Sequence, residues 1–231
     1  MTEATLAVNF FVALFALIDP IGNVPLFAAA TLGAAAAGRR MVAVYIGLFM
    51  VAFLVFFYFT GVGLLAFFGI SMPAFRIAGG IILFILGLDM VRDDFTTMFA
   101  DAAEGIEGQS TRVYARKSFE RLVVPFAMPL LIGPGSISTV IIYAAEAKKF
   151  GAAGMALGVG VIAAVSVVTV LTFWASPLIS RMLGRIGMSI VVRVLGLILC
   201  ALAVQFVLIG VGDATRGLVR QDAKAPYAEA K

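Results

Sequence analysis

One carboxylate and a cluster of chain-breaking residues stand out by where they sit. The stretch Asp19-Pro20-Ile21-Gly22-Asn23-Val24-Pro25 falls in the middle of an apolar run. An ionised carboxylate at that depth in a membrane costs at least about 2.5–3.5 kcal/mol on insertion scales, and acids placed there generally serve a function. Each proline removes a backbone donor and clashes with the preceding turn. Each also pushes the residue before it, Asp19 or Val24, away from helical angles. The helix is therefore expected to open here. Freed carbonyls and amides find no partners in lipid, so the opening must face protein or a wet cavity. Asp19 before Pro20 also has the N-cap-then-N1 pattern of a helix start. A capping role and a functional role are compatible. Asn23 suits a polar substrate group and a cap of the second half-helix equally.

A second stretch repeats the design. Pro125 and Pro129 precede Gly133-Pro134-Gly135-Ser136, and Ser136, Ser138 and Thr139 bring hydroxyls to the start of a new helical run. Ser136 reads as its N-cap. Pro20 and Pro134 each lie roughly 20 Å into their segments at 1.5 Å per residue, near the midplane of a bilayer. Two half-helix N-termini at one depth would turn positive dipole ends towards a shared cavity, which suits a carboxylate. The candidate binding set is Asp19, Pro20, Gly22, Asn23, Gly133, Pro134, Gly135 and Ser136. In it, amides take a substrate carboxylate and Asp19 receives an ammonium. Asp19 is also the candidate for proton coupling.

The absences narrow the chemistry. There is no histidine, which removes Ser-His nucleophiles, histidine metal sites and histidine proton relays. The single cysteine, Cys200, sits in an apolar run and reads as a packing residue. An intramembrane aspartyl protease needs two facing buried acids, and Asp89 lies near a segment end, where an ion pair with Arg92 is expected. Nothing resembles a P-loop. The chain is not expected to be an enzyme, to hold a metal or to need a cofactor beyond a coupling proton or sodium ion. Arg76 and Arg193 read as snorkelling cations, with a substrate carboxylate as the sharper alternative. Gly154 and Gly158 form a GxxxG, expected to allow close helix packing. Tyr58 and Trp174 are expected in interface belts, and the Phe-rich stretch 53–59 in lipid.

The elements that must position these residues are spanning helices. The chain is 62% hydrophobic and 13% charged, with a mean hydropathy of +1.09. Soluble domains carry roughly twice that share of charge. The net charge of +4 is carried between apolar runs, so it points to membrane orientation and not to nucleic acid. Residues 1–5 hold no Lys or Arg, so the first run is read as retained and not as a cleaved leader. Six apolar segments are expected, over about 6–30, 41–65, 74–90, 122–145, 152–175 and 189–212, near the roughly 20 residues a span needs. They form one transmembrane domain, 1–212, followed by a polar tail, 213–231. A polar loop over about 91–121 divides two repeats, about 5–90 and 122–212. Arg76 and Arg193 lie 117 positions apart in similar surroundings, and Pro20 and Pro134 lie 114 apart. An odd number of spans per repeat inverts the second copy, the pattern of many secondary transporters. With the N-terminus outside, nine Lys and Arg fall inside and six outside. A model in which the first and fourth segments are re-entrant gives thirteen against two, and the charge rule alone favours it.

Three ordered motifs add a resemblance. Ile18 to Phe27, Pro73 to Leu83 and Pro129 to Ile137 are similar to signatures of the MarC family of bacterial inner-membrane proteins. The resemblance covers about residues 5–212. It implies a bacterial inner-membrane location, six spans and both termini in the periplasm, siding with the inverted repeat. It also implies a relation to transporters of small neutral amino acids of the SnatA type, within the wider LysE-like group. A carrier of glycine or alanine, by uptake or export, is the leading expectation, and an ion or small-solute channel the alternative. The expected partners are the substrate, the lipid bilayer and, for a homo-oligomer, further copies of the chain. The two halves are not equivalent: Asp19 and Asn23 align with Gly133 and Ile137.

Overall fold

A computed structural model describes residues 2–31, 34–92, 111–122 and 131–215. Among these the regular elements are helices, with no strand. In chain order they are α1 (Glu3–Ile18), α2 (Val24–Ala30), α3 (Ala36–Phe67), α4 (Met72–Arg92), α5 (Thr111–Leu122), α6 (Pro134–Ala147), α7 (Gly151–Trp174) and α8 (Ser176–Ala214). A 3-10 turn, Lys148–Phe150, joins α6 to α7. Among the described residues, four runs are long and apolar enough to cross a bilayer: Ala36–Phe67, Met72–Arg92, Pro134–Trp174 and Ser189–Ala214. The expected first segment is divided into α1 and α2, of 16 and 7 residues. The described part of the fourth is α6, of 14 residues.

The local chemistry explains the ends. Thr2 caps α1, its Oγ1 accepting the Thr5 amide at 3.2 Å. The helix then buries Leu6, Phe10, Leu14 and Ile18, one residue per turn on one stripe. It stops where Pro20 begins to constrain the chain, and Pro25 sits in the first turn of α2, where no amide is needed. α3 spans 32 residues, about 48 Å, well beyond a roughly 30 Å hydrocarbon core.

Packing joins elements from opposite halves of the chain. α4 and α8 share the most extensive contact in the molecule. A Cβ placed on Gly80 would lie 2.7 Å from the Ala203 carbonyl oxygen, and one on Gly87 would lie 2.8 Å from that of Gly196. One on Gly210 would lie 2.9 Å from that of Pro73. As the numbers rise on one helix they fall on the other, so the pair is antiparallel. The same holds for α3 and α7, where Gly47 meets Val170 and Tyr58 meets Gly158. It holds again for α1 and α6: Phe10 stacks on Tyr143 at 4.7 Å, and Leu17 lies beside Gly135. Small residues at these crossings let backbones approach, which is how helices associate where lipid already satisfies apolar surface. Three buried hydroxyls are satisfied locally: Thr31, Ser166 and Thr169 each donate to the carbonyl four residues back, at 2.8–2.9 Å. The outer faces carry Leu48, Phe56, Phe59, Ile81, Ile85, Leu197 and Leu208 more than half exposed, an apolar surface that lipid must cover.

Several expectations need correction. Residues 111–121, read as part of a polar loop, form α5 together with Leu122, and its Phe119 ring meets Tyr45 and Phe49 at 5.9 Å each. The stretch 176–188, read as a connecting loop, is helical and bends at Gly184, whose φ of 61° and ψ of −175° suit glycine. Tyr58 is not in an interface belt but 2% exposed in the core. The GxxxG glycines are buried, Gly154 against Ala147 and Gly158 against Tyr58. The rest of the expected loop, 93–110, the start of the fourth segment, 123–130, and the tail from 216 lie outside the described residues.

Candidate functional site

The first break occupies residues 19–23, two residues shorter than the proline pair suggests, because Val24 and Pro25 already belong to α2. Asp19 ends α1 in the left-handed region, φ 42° and ψ 64°, with its amide donating to the Phe15 carbonyl at 2.9 Å. It is thus the C-cap of α1 and not the N-cap of α2. Short polar side chains tolerate this conformation because they bond locally. Here the Gly22 amide donates to Asp19 Oδ1 at 3.0 Å, closing a tight turn. Asn23 works in the reverse direction. Its Nδ2 donates to the carbonyls of Ile18 at 2.8 Å and Asp19 at 3.0 Å at the end of α1, and the Asp19 carbonyl also accepts the Asn23 amide at 3.1 Å. Asn23 is 7% exposed, so the break carries its own hydrogen-bond partners.

Asp19 and Asn23 line a cavity of about 40 Å³, whose other walls are Leu17, Met90, Leu195, Ile198, Leu199 and Leu202. That is room for water-sized occupants. The carboxylate has no cation within ion-pair distance among the described residues. Pro20 is buried and Gly22 is packed against Asp19 and Leu195.

In the second stretch a helix starts: Gly133, extended at φ −74° and ψ 171°, is the N-cap of α6, with Pro134 at its first position. Ser136 is therefore not the cap. Its hydroxyl donates back to the carbonyls of Gly133 at 2.9 Å and Leu131 at 3.3 Å. Gly79 packs on Pro134, and Gly135 packs on Phe206 and Leu17. Gly133, Pro134, Gly135 and Ser136 do not line the cavity at Asp19. The first break meets α4 at Met90 and the second at Gly79, eleven residues or about 16 Å apart along the helix. Leu17 lines the cavity at Asp19 and also lies beside Gly135.

The apolar walls from α4 and α8 carry no signal in sequence; only the antiparallel crossing brings them to Asp19. Arg76 ion-pairs with Asp213 at 2.7 Å, joining the start of α4 to the end of α8. No ion pair joins Asp89 to Arg92. Arg193, on α8, is exposed.

These features define a polytopic helical membrane protein with an interrupted first segment and a lone acid at the interruption. Residues 4–215 match the family described as MarC family integral membrane protein, and the chain belongs to that family. It is 32% identical to a UPF0056 membrane protein of Buchnera aphidicola, over 94% of this chain and 97% of the relative. It is 34% identical to one of Methanocaldococcus jannaschii, over 88% and 95%. It is 32% identical to the UPF0056 membrane protein YhcE of Escherichia coli, over 91% and 94%. No solved structure matches the chain.

Proposed function

We propose that the protein is a secondary transporter of small neutral amino acids, such as glycine or alanine, working by alternating access around its two breaks. The observation that carries this reading is Asp19, a carboxylate at a helix break that faces a cavity whose walls, Asn23 apart, are apolar, with no counter-cation among the described residues. Such an acid needs an opposite charge at the moment of full burial, and a substrate ammonium or a coupling proton or sodium ion supplies one. The antiparallel pairing of α1 with α6, α3 with α7 and α4 with α8 supports an inverted repeat, in which counterpart helices run in opposite directions. It supports six crossings over the re-entrant arrangement; the proposed orientation, with both termini in the periplasm of a bacterial inner membrane, rests on the family resemblance alone. The binding set remains Asp19, Pro20, Gly22 and Asn23, joined by Gly133, Pro134, Gly135 and Ser136 after Leu17 moves aside. The cavity of about 40 Å³ takes water-sized occupants, so it must widen to admit even a small amino acid.

Counterflow of labelled glycine and alanine in proteoliposomes tests it. The parent chain should exchange labelled for unlabelled substrate, and Asp19→Asn should lose this while still inserting. Full exchange in Asp19→Asn removes the acid from the mechanism. Flux without exchange points instead to a channel.

A further inference from the structure

A second concave surface lies on the lipid-facing side and shares no lining residue with the cavity at Asp19. It is a groove of about 300 Å³ between α3 and α7, lined by Val44, Gly47, Val51, Ser166, Val170 and Trp174 among others. Its floor exists because residue 47 has no side chain; a Cβ there would collide with Val170. The Ser166 hydroxyl is turned away to the Ile162 carbonyl at 2.9 Å, so the lining is apolar. Leu48 and Leu171, 62% and 53% exposed, stand at its rim.

The mouth is different in kind. Arg40, Val44, Gly47 and Val51 recur at helical spacing along one face of α3. Trp174 closes the same end, its indole N–H donating to the Arg40 carbonyl at 3.1 Å. Tryptophan favours the headgroup level of a bilayer. Neither Arg39 nor Arg40 pairs with a carboxylate among the described residues. From Arg40 to Val51 the axis rises about 16 Å, close to the depth of one leaflet of a roughly 30 Å core.

We propose that this groove binds one anionic phospholipid, with an acyl chain between α3 and α7 and the phosphate at Arg39 and Arg40. The charge and the length both favour this occupant. An apolar channel one leaflet deep, with Arg40 on its face and Arg39 beside it in the same turn, neither paired with a carboxylate among the described residues, complements a single lipid of net negative charge. The site is independent of transport through the breaks.

The test is native mass spectrometry of the full chain in detergent. It is titrated with phosphatidylglycerol and with phosphatidylcholine of the same acyl chains. The parent should retain one phosphatidylglycerol in preference. The Arg39→Gln, Arg40→Gln double variant should lose that preference on the order of thirtyfold, each cation near an anionic surface being worth about fivefold. Arg40→Gln alone should lose about fivefold, which keeps the test open if the double variant folds poorly. Val167→Trp, at the groove, should weaken both lipids, and Lys148→Gln, on an exposed turn elsewhere, should change neither. Equal retention of the two lipids by the parent, or an unchanged preference in the arginine variants, overturns the proposal. A dimer that forms in place of lipid binding also overturns it and assigns the groove to a second copy.

Discussion

Substitutions at Asp19 separate its structural duty from its functional one. The residue holds φ at 42° and ψ at 64°. That region costs most L-residues about 1–2 kcal/mol, and Asp and Asn are the ones that visit it readily. Its Oδ1 also accepts the Gly22 amide at 3.0 Å, a bond worth about 0.5–1.5 kcal/mol net, or about 1.5–3 with a charged acceptor. Asp19→Asn keeps both the backbone tolerance and the acceptor, so its stability should stay within about 1 kcal/mol of the parent. Asp19→Ala loses both and should cost about 2–4 kcal/mol. Equilibrium unfolding in mixed micelles with increasing denaturing detergent measures the difference. If the Ala variant is as stable as the Asn variant, the turn at 19–22 contributes nothing and this account of the break fails. If the Asn variant falls as far as Ala, charge and not shape holds the turn. The ordering also licenses the transport test, since an inactive Asp19→Asn variant of normal stability is inactive for reasons other than folding.

Two other substitutions probe the packing. Gly87→Val should destabilise the α4–α8 pair by about 1–3 kcal/mol or more, because backbone of Gly196 and Cys200 leaves no room for its side chain; unfolding at the parent midpoint would refute the crossing. Tyr58→Phe should leave stability unchanged or raise it by about 1 kcal/mol, since the buried hydroxyl has no hydrogen-bond partner. A loss above that size would mean the hydroxyl holds a partner in the membrane.

The interruption at 19–23 and the helix start at Pro134 are legible in the sequence because proline and glycine act locally. Their caps are not. Asp before Pro has the same signature whether it starts one helix or ends another, and the decision falls to the Asn23 side chain, which turns back to α1. Ser136 was misread for a related reason: Gly133, without a side chain to cap with, takes the extended conformation itself. α5 was hidden because charge on its outer face masks the row of Ala115, Ser118 and Phe119 that meets the bundle. Tyr58 looked like a belt residue from its place near a segment end, but α3 continues for nine residues beyond it. The cavity walls and the lipid-facing groove come from helices distant in sequence, and a pattern within one segment does not encode them.

The cross-half pairing has a consequence for how the chain is made. α1 packs on α6 and α7, α2 on α7 and α8, and α4 on α6 and α8. When α1 leaves the ribosome, its main partners are still roughly a hundred codons away. At about 5–20 residues per second, Asp19 waits on the order of ten seconds for the surfaces that will enclose it. During that interval the insertion machinery, or neighbouring lipid headgroups, must shelter an unfinished polar turn. Neither half is a self-sufficient intermediate, so a chain interrupted after α4 is expected to be a substrate for membrane proteolysis and not a stable precursor.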